Sequence, residues 1–200
     1  MVISFRSYRD LLQQGITMEE IMSRLKDIDI ENNLLEEDGE LIERYIPFYE
    51  QTEVMWRLVL ADDCIIGYWS FAMLNAAYIA RIAAGQLREN DVNYLALKTD
   101  MYSGIGDLLF DSICLAKSHQ KQKLSGLVMK SMHDTFRTYG ERGIHVDTVW
   151  ASIWSVEGAH FCERLGFKSH IRNKYTGVIY RVSFSEFVRK LEQVISTYGL

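Results

Sequence analysis

The residues best suited to chemistry lie in two stretches of the C-terminal half. In Asp111–Met132 (DSICLAKSHQKQKLSGLVMKSM) an apolar run passes into a polar loop and then into helical spacing. In Ser155–Phe167 (SVEGAHFCERLGF) a short helix closes on Leu165-Gly166-Phe167. A strand that feeds a loop opening a helix aims unpaired backbone N–H groups beyond the helix N-terminus, where phosphate is the usual guest. Asp111 shares side-chain parity with Ile113 and Leu115, and a carboxylate in so apolar a run is expected to have a raised pKa and to suit a general base. Asp107, nearer the strand end, ranks behind it. Cys162 has two readings: a proton donor with the ordinary thiol pKa of about 8.5, or a small residue of the type most often buried. Tyr175 and Tyr180 are further proton donors by residue type. His119 adjoins the loop and is a candidate phosphate contact.

These residues need a scaffold, and the chain supplies alternating strand and helix signals. Residues 2–8 alternate as a first strand, and Thr17 with Glu20 forms a capping-box pattern before Ile21, Leu25 and Ile28. A second helix is expected over 40–49, after an acidic stretch at 31–40. Residues 55–60 and 65–72 read as strands joined by Ala61-Asp62-Asp63-Cys64, a hairpin signal. Helical spacing follows over 75–90. Strands are then expected at 108–116, 146–154, 167–171 and 176–183, and helices at 124–140, 155–164 and 185–198. This order predicts an α/β (α+β) fold: one domain over 1–200, with a mixed, mostly antiparallel sheet of six to seven strands and helices on both faces.

Composition narrows the function. A chain of 200 residues with 48% hydrophobic content suits one domain. A net charge of −5 argues against a nucleic-acid binder, which needs a basic face. Cys64, Cys114 and Cys162 are odd in number and lack C-x-x-C spacing, as reduced thiols in a cytoplasmic protein would be. The N-terminus has no signal-peptide core, no run reaches a membrane span, and His119, His133, His145, His160 and His170 make no metal spacing, so neither membrane nor metal is expected.

The two C-terminal stretches resemble the acyl-donor half of the GNAT superfamily of acyl-CoA-dependent N-acyltransferases. Its donor loop, Gln/Arg-x-x-Gly-x-Gly/Ala, falls on Gln120, Lys121, Gln122, Lys123, Leu124 and Ser125, with Gly126 next; both glycine positions hold other residues, Lys123 and Ser125. The segment SVEGAHFCERLGF is similar to Asn-x-x-Ala-x-x-Phe-Tyr-x-x-Leu-Gly-Phe, with Ser155 at the donor-contacting asparagine and Cys162 at the tyrosine that protonates the leaving thiolate. The resemblance implies acetyl-CoA or another acyl-CoA as co-substrate, held by residues 120–126, Ser155 and the backbone of Ile113 and Leu115. Asp111 and Cys162 would do the chemistry, and the acceptor would be a small amine, a protein lysine or an N-terminus. A second similarity, Gly67–Ala72 with Ser103-Gly104 and Asp111, is to toxin-activating lysine acyltransferases. It implies an acyl carrier protein as donor and carries Asp111 over as a catalytic residue, although no histidine precedes His119 here. A non-catalytic acyl-CoA-binding module is the third expectation.

Overall fold

The computed structural model describes residues 1–34, 46–51, 55–87, 92–120 and 124–200. After β1 (Ile3–Arg6) come α1 (Tyr8–Gln13), α2 (Met18–Glu31) and α3 (Ile46–Gln51). α1 is absent from the sequence reading, which carried the first strand through to residue 8. Ser7 instead caps a six-residue helix in a reciprocal box with Asp10, too short to show a 3.6-residue period. Thr17 and Glu20 make the expected box on α2. Most of the helix expected at 40–49 lies outside the described residues.

β2 (Trp56–Ala61) and β3 (Cys64–Leu74) form the expected hairpin. Asp62 and Asp63 have φ of 46° and 66°, the double left-handed turn whose twist matches that of the strands. Asp62 also accepts from the Val2 N–H at 2.7 Å. Next are α4 (Ala76–Ala83), capped by Asn75, and β4 (Ile105–Leu115). α5 (Ser125–Glu141), β5 (His145–Ile153), α6 (Val156–Arg164), β6 (Lys168–Arg172), β7 (Val178–Ser183) and α7 (Phe184–Thr197) complete the chain.

The seven strands run in the order β1-β2-β3-β4-β5-β7-β6. β4 and β5 are parallel, from Ile105↔His145 to Phe110↔Ala151, while β1–β2, β2–β3, β5–β7 and β6–β7 are antiparallel. The result is the expected mixed α/β fold, a mostly antiparallel sheet flanked by helices.

The chain divides into two compact units, residues 1–71 with 112–128, and 72–111 with 129–200, the boundaries falling inside β3, β4 and α5. In the first unit Trp56 is fully buried, stacks on Tyr8 at 5.7 Å, and donates its indole N–H to the Tyr49 carbonyl at 3.0 Å. Ile21, Leu25 and Ile28 of α2 are buried as their spacing required. In the second unit an aromatic chain links β4, α5, α6 and α7: Phe110 meets Phe161 and Phe167, Phe167 meets Phe187, and Phe187 meets Phe136.

Candidate active site

In the first unit, β4 approaches β3 closely because residue 67 is glycine. A Cβ there would lie 2.4 Å from the Cys114 carbonyl oxygen and 2.5 Å from a Leu115 methyl, closer than packed atoms allow. The Ala116 N–H donates to the Ile66 carbonyl at 2.8 Å. Peptide groups alternate edges along an extended strand, so those of Ile113 and Leu115 face away from β3. That is the edge expected to pair with a donor's amides. At Leu115 the carbonyl accepts from Asn32 Nδ2 at 3.1 Å and from Gln120 Nε2 at 2.9 Å. Gln120 also donates to Asn32 Oδ1, so its amide nitrogen ties the loop to the end of α2. Glu31 adds a contact to the Lys117 N–H at 3.3 Å. Among the loop residues, Lys121, Gln122 and Lys123 lie outside the described residues. Leu124 and Gly126 are buried, and Ser125 is exposed at the start of α5. His119 Nδ1 pairs with the Ser118 hydroxyl at 2.9 Å.

Beside this edge three elements bring polar groups together. Tyr68 of β3 donates its hydroxyl to both carboxylate oxygens of Asp29 on α2, at 2.9 and 3.0 Å. Ser112 of β4 donates to the Tyr68 oxygen at 3.2 Å. Burial, then the neighbouring Tyr49 and Asp29, hold the Tyr68 phenol well above its ordinary value. The Cys114 thiol is pushed up to about 12 by burial and then by Asp29. Sequence reading missed this cluster. Asp29 and Tyr68 are 39 residues apart and Tyr68 and Ser112 are 44 apart, and no local spacing joins them. The available signal was an aspartate between Ile28 and Ile30 on an otherwise apolar helix face.

In the second unit, Asp111 is exposed. The burial that its apolar run suggested is absent at this residue, because an apolar run in sequence does not by itself bury each side chain in it. Asp107 accepts from the Thr148 N–H at 3.2 Å and from the Trp150 indole N–H at 3.1 Å, a tie from β4 to β5. Ser155 caps α6 by accepting from the Gly158 N–H at 3.0 Å. The small residue at 158 is explained there, since a Cβ would fall 3.0 Å from the Ser155 hydroxyl.

Cys162 is fully buried, and burial, with a smaller contribution from Glu163, pushes its thiol up to about 12. Cys162 is part of the buried core. Leu165-Gly166-Phe167 is the helix stop. Gly166 has φ 85° and donates to the Glu163 carbonyl at 3.0 Å, while Phe167 donates to the Cys162 carbonyl at 3.1 Å, the Schellman arrangement. Tyr180 is buried on β7 opposite Ala151, and Tyr175 is exposed beside Lys174.

Among the described residues, no group of three or more His, Cys, Asp or Glu is placed to hold a metal ion. No described helix is long and apolar enough to cross a membrane.

The parallel β4–β5 pair inside an otherwise antiparallel sheet, with a long helix between its strands, is the GNAT fold. No protein-family model and no curated protein matches the sequence; solved structures show the likeness. The chain is similar to Ard1 from Thermoplasma volcanium, at 8% identity over 92% of this chain and 98% of that one, with a TM-score of 0.57. It is also similar to the loading GNATL domain of CurA from Lyngbya majuscula, at 12% identity over 92% and 99%, TM-score 0.56. A third structure, yncA from Salmonella typhimurium with its cofactor acetyl-CoA, aligns at 13% identity over 92% and 94%, TM-score 0.53.

Proposed function

We propose that the protein is an acyltransferase that moves an acyl group from acyl-CoA to an amine. The observation that carries this reading is the β4 edge at Ile113 and Leu115, facing away from β3, with α5 the next long helix in the chain, within a GNAT fold. Main-chain pairing along such an edge suits the amides of a pantetheine arm and needs no particular side chain. With the Leu115 carbonyl taken by Asn32 and Gln120, Ile113 offers that pairing. Helix N-terminal N–H groups at the head of α5 suit the pyrophosphate, and Lys121 and Lys123 add charge, Lys123 at a position where the superfamily has glycine. An amine acceptor is in keeping with the net charge of −5.

A second reading, an acyl-CoA-binding module without turnover, is favoured by the enclosed Cys162, which leaves the superfamily's tyrosine position without a proton donor. Thermal melting with acetyl-CoA, longer acyl-CoAs and an acylated carrier protein tests the donor. At 100 times Kd, bound ligand stabilises by about 2.7 kcal/mol, or about 5–10 °C for a chain of this size. A shift with carrier protein alone changes the donor class, and no shift with any of them removes the donor assignment. A shift with no amine acylated leaves the binding module.

A further inference from the structure

We propose that Ser112, Tyr68 and Asp29 form a proton relay that serves as the general base of the transfer, with Ser112 as the catalytic residue that meets the acceptor amine. This rests on the acyltransferase reading. Its basis is the direction and origin of the hydrogen bonds. Ser112 on β4 donates to Tyr68 on β3 at 3.2 Å, and Tyr68 donates to Asp29 on α2 at 2.9 and 3.0 Å. Every donor points the same way, from a partly exposed hydroxyl to a carboxylate that can accept a proton. Ser112 adjoins Ile113, the residue whose peptide faces the donor edge, so its hydroxyl lies next to the course proposed for the acyl arm. Asp111, the neighbour on the other side, is exposed and has no such burial to tune it.

The step balances. As the neutral amine attacks the thioester carbonyl, the new C–N bond forms and the nitrogen gives one proton to Ser112 Oγ. Ser112 passes its own proton to Tyr68 Oη, and Tyr68 passes its own to Asp29. When the tetrahedral adduct collapses, the C–S bond breaks, its electron pair leaves on sulfur, and the thiolate takes a proton from water. Asp29 then returns its proton to solvent. The phenol's high pKa keeps Tyr68 neutral throughout, so the two transfers through it must be concerted. Tyr68 and Asp29 are relay and positioning residues. Among the described residues, Tyr49 and Cys114 on β4 act on Tyr68, and Glu31, on the same helix as Asp29, acts on Cys114.

The test is the pH dependence of kcat and kcat/KM for acyl-CoA and an amine acceptor. It compares the wild type with Tyr68→Phe, Ser112→Ala, Ser112→Thr and Asp111→Asn, with the acyl-CoA melting shift measured for each. Loss of the relay should lower kcat by about 10²–10⁴-fold, the range for general acid–base help, in Tyr68→Phe and Ser112→Ala. Both should keep the melting shift and lose the part of the rising limb that the relay contributes, leaving the part set by deprotonation of the amine itself. Ser112→Thr, which keeps the hydroxyl, should restore that limb. A pH profile of unchanged shape in Ser112→Ala, or a limb abolished by Asp111→Asn alone, would overturn the relay while leaving the acyltransferase reading intact. A wild type that binds acyl-CoA and acylates no amine would overturn both. Should Tyr68→Phe fail to fold, the two Ser112 variants decide the matter.

Discussion

Replacing Cys162 by alanine separates a proton donor from a packing residue, and the structure fixes what should be seen. Cys162 is enclosed, and its thiol is raised from an ordinary 9.0 to about 12, as is that of Cys114. A raised folded-state value means that the folded thiol keeps its proton where the unfolded one loses it. The associated stability is therefore fully present below pH 9 and is lost as pH rises from 9 to 12. By pH 10 this linkage amounts to a loss on the order of 1 kcal/mol per thiol. The wild type should thus lose stability between pH 7 and pH 10 through both Cys114 and Cys162, and Cys162→Ala about half as much. The variant should also start about 1 kcal/mol less stable at pH 7, because a small enclosed group is deleted from a packed site. Urea denaturation at pH 7, 9 and 10 measures both quantities, provided that the m-value is unchanged. Tyr68, whose ordinary value is 10.0 and whose folded value is also raised, adds its own loss mainly above that range, so the comparison stops at pH 10. Turnover of the variant at pH 7 should stay within about threefold of wild type, as expected when no transition-state contact is removed. Equal alkaline losses in variant and wild type, or turnover that collapses with the thiol, would refute the assignment to packing.

Gly67→Ala should destabilise by about 1–3 kcal/mol or more, read as a lower melting temperature, because its Cβ meets the Cys114 carbonyl rather than a movable side-chain end. For Gly166→Ala, at φ 85°, a loss of about 1–2 kcal/mol should appear in denaturant unfolding with donor affinity preserved. Asp107→Ala removes the acceptor for the Thr148 and Trp150 N–H groups. It should cost about 1–3 kcal/mol while kcat per folded molecule is unchanged; a kcat loss beyond the unfolded fraction would give Asp107 a part in the chemistry.

What the sequence made legible was what is encoded within a few residues. The Asp62-Asp63 turn, the Thr17–Glu20 cap and the Leu165-Gly166-Phe167 stop each depend on local backbone geometry, and each stands in the structure where expected. The apolar fourth strand was also visible, starting three residues earlier than read. The contacts of Asn32 with Leu115 and of Glu31 with Lys117 were not visible, since Asn32 lies 83 residues from Leu115 and Glu31 lies 86 from Lys117. Nor was Gln120's attachment to Asn32, because a glutamine directed at phosphate and one directed at a helix end look the same in a motif. Asp111 and Cys162 show the corresponding limit for chemistry. Residue type and apolar neighbours suggested a buried carboxylate and left Cys162 as either a proton donor or a buried packing residue, while the packing of the folded chain leaves the carboxylate exposed and the thiol enclosed.

The central claim is acyl transfer to an amine, and the most direct measurement is the stoichiometry of a single reaction. Purified protein is incubated with acyl-CoA and a panel of polyamines, lysine peptides and N-terminal peptides, with free thiol and acylated amine both quantified by mass. Thiol release should depend on an amine, match amide formed one for one, and be lost with Ser112→Ala. Thiol release without amide, or acyl-CoA bound and recovered intact with every amine, would contradict the claim.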